Sequence, residues 1–187
     1  MEKEIKIKLT DLLAIVSLLD QKKARLIGKS FQRTTRMDTP GMELEKKGVF
    51  LRVRSGFENT VTLKRKISDN KDVFERQEIE TEVKDIDKLA DIFDILGFSK
   101  RLILEKYRME FDYKGLKIAL DELPFGFYVE LEGEPEKIAE VAKELNLDIS
   151  KKIIVTYWDL FEDFKKETGT KGESIIFSKN YKSVLLK

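Results

Sequence analysis

The first eight residues, Met-Glu-Lys-Glu-Ile-Lys-Ile-Lys, put charge on alternate positions: Glu2, Glu4, Lys6 and Lys8, with Ile5 and Ile7 between the later ones. Successive side chains of an extended strand point to opposite faces, so the four charges share one face and the isoleucines the other. Two carboxylates about 7 Å apart along a strand, followed by an ammonium, can hold a divalent cation beside an anion. One such strand is also what an antiparallel sheet edge with a wet face looks like. The pattern recurs, however, and each recurrence is sorted by sign. Arg52 and Arg54 flank Val53, and Lys64 and Lys66 flank Arg65. Glu78, Glu80 and Glu82 alternate with Ile79 and Thr81, Lys106 and Arg108 flank Tyr107, and Glu130 and Glu132 flank Leu131. A sheet carrying these strands and closed on itself would enclose a polar channel, with basic walls for a polyanion and acids for a metal.

Composition narrows the chemistry. The chain has 187 residues, the size of one domain with a real core. Lys plus Arg is 36 against 35 for Asp plus Glu, which argues against a general binder of nucleic acid or membrane surface. There is no histidine and no cysteine, so disulfides, thiolate nucleophiles and imidazole acid–base chemistry are excluded. Catalysis must then rest on carboxylates, lysine, arginine, hydroxyls or oxygen-ligated hard cations such as Mg²⁺ or Mn²⁺. No stretch approaches the ~20 apolar residues of a membrane span and no signal peptide precedes the first strand, so a cytoplasmic protein is expected. High Lys and Glu with little Asn or Gln suggests a thermophilic source.

Along the chain, Thr10 or Asp11 caps a helix carrying Leu12, Leu13, Ile15, Val16 and Leu19. Residues 30–38 read as a strand, followed by Thr39-Pro40-Gly41 and a short helical stretch to Lys47. Residues 48–55 and 60–67 form a hairpin with Arg52, Arg54, Lys64 and Lys66 on one face. Four cations without an acid on that face repel one another, which favours bound phosphate. The loop Ser68–Asp72 leads to a strand at 73–83 with Arg76 and three acids on one side, able to neutralise the basic strands or to bind metal. Asp85 caps a helix ended by Gly97. Strands at 98–113, 116–121 and 127–132 follow, then a helix from Pro135 to about Leu145. The last helix is expected over 151–167, with Ile153, Ile154, Tyr157, Trp158, Phe161 and Phe164 as a packing stripe. About eight strands in antiparallel order give an α+β class, mainly antiparallel β: a closed eight-stranded barrel with surrounding helices.

These residues resemble the CYTH superfamily, the triphosphate tunnel metalloenzymes, which include class IV adenylate cyclases, thiamine triphosphatases and inorganic triphosphatases. The resemblance rests on Glu2-x-Glu4-x-Lys6, Gly48-Val-Phe-Leu-Arg-Val-Arg54, Thr62-Leu-Lys64, Arg76-x-Glu78-x-Glu80, Lys106-x-Arg108, Asp121, Glu130-x-Glu132 and Thr156-Tyr157-x-x-Leu160, in that order. It covers roughly residues 1–165, so a domain at 1–168 is expected, with 169–187 as an extension packing on or covering the barrel. Where the family has Tyr-Phe-Asp this chain has Arg36-Met37-Asp38. The resemblance implies that Lys6, Arg52, Arg54, Lys64, Arg76, Lys106 and Arg108 hold a triphosphate. Glu2, Glu4, Asp121, Glu130 and Glu132 would hold Mg²⁺ or Mn²⁺, with Glu4, Lys6 and Glu130 at the reaction centre.

Hydrolysis of inorganic triphosphate, thiamine triphosphate or a nucleotide uses those parts, and so does an adenylate cyclase. No adenine pocket is evident in the sequence, which ranks hydrolysis first. A non-catalytic polyphosphate binder would need the basic walls but not the acids. The partner expected is a small-molecule triphosphate, with neither nucleic acid nor membrane; a homodimer is left open.

Overall fold

The computed structural model describes the backbone of residues 2–66 and 74–186, and the side chains of 3–65 and 77–186. The loop expected at Ser68–Asp72 lies outside these residues. Eight strands form one antiparallel sheet: β1 (Glu2–Leu9), β2 (Arg25–Asp38), β3 (Val49–Ser55), β4 (Thr60–Lys66), β5 (Phe74–Glu82), β6 (Lys100–Tyr113), β7 (Leu116–Leu123) and β8 (Gly126–Glu132). Their spatial order is β1-β5-β4-β3-β2-β6-β7-β8, and β1 also pairs with β8. Among the described residues five α-helices accompany the sheet: α1 (Leu12–Gln21), α2 (Glu43–Lys46), α3 (Ile86–Ile95), α4 (Pro135–Glu144) and α5 (Tyr157–Thr168).

The alternation read in the sequence is what sorts the two faces. Ile5, Ile7 and Leu9 of β1, Met109 and Phe111 of β6, Ile118 and Leu120 of β7, and Val129 and Leu131 of β8 all point outward. There they pack beneath Leu12, Ile15 and Leu19 of α1 and Ile138, Val141 and Ala142 of α4. At about 1.5–3 kcal/mol per fully buried aliphatic side chain, this outer layer is the main source of stability. It leaves the inner face free to be polar. Asp11 caps α1 through the Ala14 amide at 3.0 Å, and Asp85 caps α3 through Lys88 at 3.0 Å. Lys114 and Gly115, both at positive φ, make the tight β6–β7 turn.

Two boundaries differ most from expectation. β2 begins at Arg25 rather than residue 30, because it pairs with β6 from Arg25↔Asp112 to Asp38↔Lys100, with an irregularity between Leu26 and Gly28. Tertiary pairing, which no local window contains, extends the strand. The last helix starts at Tyr157, not at 151. Ile153-Ile154-Val155 is a β-branched run that prefers extended backbone. Ile153 instead bridges Lys6, with Lys6 N–H to Ile153 O at 2.9 Å and Ile153 N–H to Lys6 O at 2.7 Å. Thr156 and Asp159 then form a capping box that sets the helix start.

Two strand edges are covered by segments that follow the sheet. Among the described residues β5 pairs with β1 at residues 2–4, and Ile153 takes up the backbone of Lys6 just beyond. β7 pairs only with residues 107–113 of β6, and Ile175 bridges Leu104 on the remaining edge. Covering such edges removes unpaired backbone groups that would otherwise recruit other chains. The chain end is then tied to Glu122, which is fully buried on the outer face of β7. Its carboxylate accepts from Tyr181 Oη at 2.8 Å, Ser183 Oγ at 2.6 Å and the amides of Val184 and Leu185. Glu122→Ala leaves those buried donors unsatisfied, at roughly 1–3 kcal/mol each. Trypsin is therefore expected to cut after Lys179 and Lys182 in the variant well before it does in the wild type. Equal digestion of the two would show that Glu122 does not hold the segment.

Candidate active site

The inner face carries the charged residues, and all eight strands contribute side chains to one cavity of about 360 Å³. That is within the range of small-ligand sites. The expected cations from β1 (Lys6), β3 (Arg52, Arg54), β4 (Lys64) and β6 (Lys106, Arg108) all line the cavity, and Lys117 of β7 joins them. They share it with Glu4, Glu130 and Glu132 from the neighbouring strands β1 and β8. The structure thus brings together the basic set, save Arg76, and three of the acids expected at a metal. Glu2 and Arg76 are paired in the β1–β5 ladder, and their side chains, like that of Lys66, lie outside the described residues.

The basic hairpin face is not without acids. β5 runs beside β4 with Glu78 opposite Lys64 and Glu80 opposite Thr62. Lys64 reaches Glu78 at 2.9 Å, Arg52 lies 3.7 Å from Glu78 and 3.6 Å from Glu80, and Arg54 lies 3.4 Å from Glu80. Repulsion among these cations is therefore partly neutralised across the strand pair, which the hairpin considered alone did not reveal. Cations still crowd Arg54: burial, then Arg52 and Arg108, lower its pKa to about 10. Glu80, despite partial burial, is pulled below the usual carboxylate value by Thr62 and the arginines.

Across the cavity a second network centres on Asp121, which is fully buried. It accepts from Lys106 Nζ at 2.9 Å, from Arg108 Nε at 2.6 Å and again from the Arg108 guanidinium, and from Tyr157 Oη at 2.8 Å. Burial opposes its charge, but Arg108 and Lys106 outweigh it and hold the carboxyl below its usual value. Glu130 is held well below the carboxylate range in the same way, against burial, by Arg108 and Lys6. Burial and the nearby Arg108 lower the Lys106 pKa to about 8, with Asp121 and Glu130 only partly offsetting them. Lys6 shows the opposite balance. Burial penalises its charge, but Glu4 and Glu130 raise its pKa above the usual lysine value.

For a cation the donor set is all oxygen, which suits Mg²⁺ or Mn²⁺. Among the described residues no group of three acids is preassembled as a metal site. Glu4 and Glu132 are cross-strand partners, and Glu130 lies on the same face of β8. Glu4 pairs with Lys6, Glu130 with Lys6 at 3.4 Å and with Arg108, and Glu132 with Lys117 at 3.4 Å. Glu4, Glu130 and Glu132 thus supply the oxygen donors that a hard cation takes, from neighbouring strands of one cavity wall. Asp121, the remaining acid of the expected set, accepts four hydrogen bonds from three side chains.

Three features were not anticipated. Tyr157, expected as packing, enters the polar network from α5. Glu122, adjacent to Asp121 but facing outward, was not singled out; its signal was an acid in phase with Ile118 and Leu120. Arg36, which replaces an aromatic residue of the family pattern, is buried over the Phe50 ring at 5.2 Å and pairs with Glu45 of α2 at 3.2 Å. Asp38 caps α2 by accepting from Leu44 N–H at 2.9 Å and Glu45 N–H at 3.1 Å.

An eight-stranded antiparallel sheet with a charged interior and an apolar exterior defines a class, and comparison with known proteins identifies it. The CYTH domain model matches residues 1–157, and the chain belongs to the CYTH family. Family members are generally metal-dependent enzymes, triphosphatases or adenylate cyclases, using Mg²⁺ or Mn²⁺. A protein of Methanocaldococcus jannaschii named "Putative adenylate cyclase" is 27% identical over 163 residues, which span 82% of this chain and 93% of its own. A solved structure from Pyrococcus horikoshii is 26% identical with a TM-score of 0.75, covering 88% of this chain and 99% of its own. A Hippeastrum protein named "Putative adenylyl cyclase" and described as having a dominant triphosphatase activity is 20% identical, with a TM-score of 0.63 over 88% of this chain and 96% of its own, and shares the fold. Among the described residues no helix is long and apolar enough to cross a membrane.

Proposed function

We propose that the protein is a divalent-metal-dependent triphosphatase that cleaves inorganic triphosphate or an organic triphosphate inside a tunnel closed by the eight strands. The tunnel is supported by the pairing of β1 with both β5 and β8. The observation that carries the proposal is the convergence of Lys6, Arg52, Arg54, Lys64, Lys106 and Arg108 from four strands on one cavity that also holds Glu4, Glu130 and Glu132. A triphosphate carries about four negative charges in a line, so cations on several walls neutralise it along its length as charge shifts to the leaving group. Glu4, Glu130 and Glu132, with Glu2, would hold the metal, which supplies charge neutralisation at the phosphoryl oxygens and a lowered pKa for the attacking water. Asp121 keeps Lys106 and Arg108 in place from beneath. With no histidine in the chain, proton transfer falls to water, carboxylates, hydroxyls and lysines.

Cyclisation of ATP by attack of its 3′-hydroxyl is the second proposal, favoured by the name of the archaeal relative. The deciding experiment supplies purified protein with Mg²⁺ or Mn²⁺ and, in parallel, ATP and inorganic triphosphate. Orthophosphate without cyclic AMP establishes hydrolysis; cyclic AMP with pyrophosphate from ATP establishes the cyclase. No product from either substrate, with triphosphate still bound, would leave a binding module.

Lys64→Ala tests the phosphate wall. Lys64 is nearly buried and pairs with Glu78 at 2.9 Å. Its loss is expected to weaken triphosphate binding by about 1.5–3 kcal/mol, roughly 10- to 100-fold in KM. Metal binding, followed by titration calorimetry, is expected to stay unchanged. Unaltered kinetics would remove Lys64 from the substrate path.

A further inference from the structure

Tyr157 is the first residue of α5, placed by the Thr156–Asp159 capping box and by the Ile153 bridge to Lys6. These two ties bring the helix start against the cavity, where Thr156, Tyr157 and Trp158 form part of the wall. The Tyr157 ring is nearly buried and is held edge-on against Tyr128, with centroids 5.3 Å apart at 68°. On its faces stand two cations from different strands, Lys6 Nζ at 5.5 Å and Lys106 Nζ at 5.4 Å from the centroid. Its hydroxyl donates to Asp121, the same carboxylate that accepts from Lys106 and Arg108.

We infer that Tyr157 is a positioning residue for the triphosphate-binding cations, with its ring setting Lys6 and Lys106 and its hydroxyl aligning Asp121 under Arg108. This rests on the proposed triphosphate site. A ring quadrupole attracts a cation on its face, by more where water is excluded. One ring therefore helps to hold two ammonium groups that Glu4, Glu130 and Asp121 pair from their other sides. The hydroxyl fills a remaining acceptor position on Asp121, so the carboxylate cannot rotate away from Lys106 and Arg108. Two parts of one side chain thus do separable work: the ring acts on ligand binding, the hydroxyl on alignment.

The test compares wild type, Tyr157→Phe and Tyr157→Leu with inorganic triphosphate and Mg²⁺, measuring kcat, KM, calorimetric binding of triphosphate and thermal midpoint. Tyr157→Phe keeps the ring, so KM and Kd are expected within about threefold of wild type while kcat falls about three- to tenfold. Tyr157→Leu loses the ring and is expected to raise KM and Kd about tenfold or more. Unchanged binding in Tyr157→Leu overturns the inference. So does an equal loss in both variants that tracks their thermal midpoints, which would make Tyr157 a packing residue. Wild type that binds no triphosphate overturns the proposed function itself, a result distinct from either.

Discussion

Replacing Asp121 by alanine is expected to lower stability by about 3–5 kcal/mol, a large part of what a domain of this size has. The carboxylate is fully buried and receives hydrogen bonds from Lys106, Arg108 and Tyr157. Removing it leaves two buried cations beside each other with one fewer acid, and burial already lowers the Lys106 pKa to about 8. Breaking one side of a buried ion network costs far more than deleting an exposed pair, because the remaining charges keep their desolvation penalty. For a chain of this length the thermal midpoint should fall by roughly 6–20 °C. Asp121→Asn keeps shape and one acceptor oxygen and should recover part of the loss. A metal-ligand role predicts the reverse: a fold as stable as wild type without metal and a lost response to Mg²⁺. Calorimetry of the metal-free variant separates the two, and an unchanged midpoint would refute the anchoring role.

Glu4→Ala is expected to leave a folded protein with turnover reduced on the order of 10²-fold or more. Its carboxylate sits across β1–β8 from Glu132 and in the cavity with Glu130, where a hard cation would be held. Losing one such ligand weakens the charge that the transition state needs at the phosphoryl oxygens. The fold should survive, because Lys6 retains Glu130 at 3.4 Å and Glu4 is only partly buried. Glu130→Ala is the less clean experiment: it also takes one acid from each of Arg108 and Lys6, so lost turnover would be mixed with lost stability. Mg²⁺-dependent turnover near the wild-type level in Glu4→Ala would exclude Glu4 as a ligand.

Much of the strand plan was legible because the side-chain period in a strand is two and this chain sorts its charges by that period. Ile5 and Ile7 outside and Lys6 inside follow from alternation alone, as do Arg52 and Arg54 against Val53. Turn and cap chemistry was equally local: Gly115, Asp11 and Asp85 behave as their residue types predict. The helix start at Tyr157 was also locally encoded, in the β-branched run before Thr156, but the aromatic stripe at helical spacing masked it.

Partnership was not legible. Asp121 and Glu130 are both inward acids on strands, and the sequence gives each the same pattern. Their roles differ because β6 lies beside β7 and places Lys106 and Arg108 on Asp121, while β1 lies beside β8 and places Lys6 by Glu130. Likewise Glu78 and Glu80 neutralise the basic hairpin only through the β4–β5 register. By itself the sequence determined which residues are polar and inward, since that depends on local periodicity. The tertiary structure alone decided which acid meets which cation, because ion pairing falls off over a few ångströms and those distances are set by strands far apart in the chain.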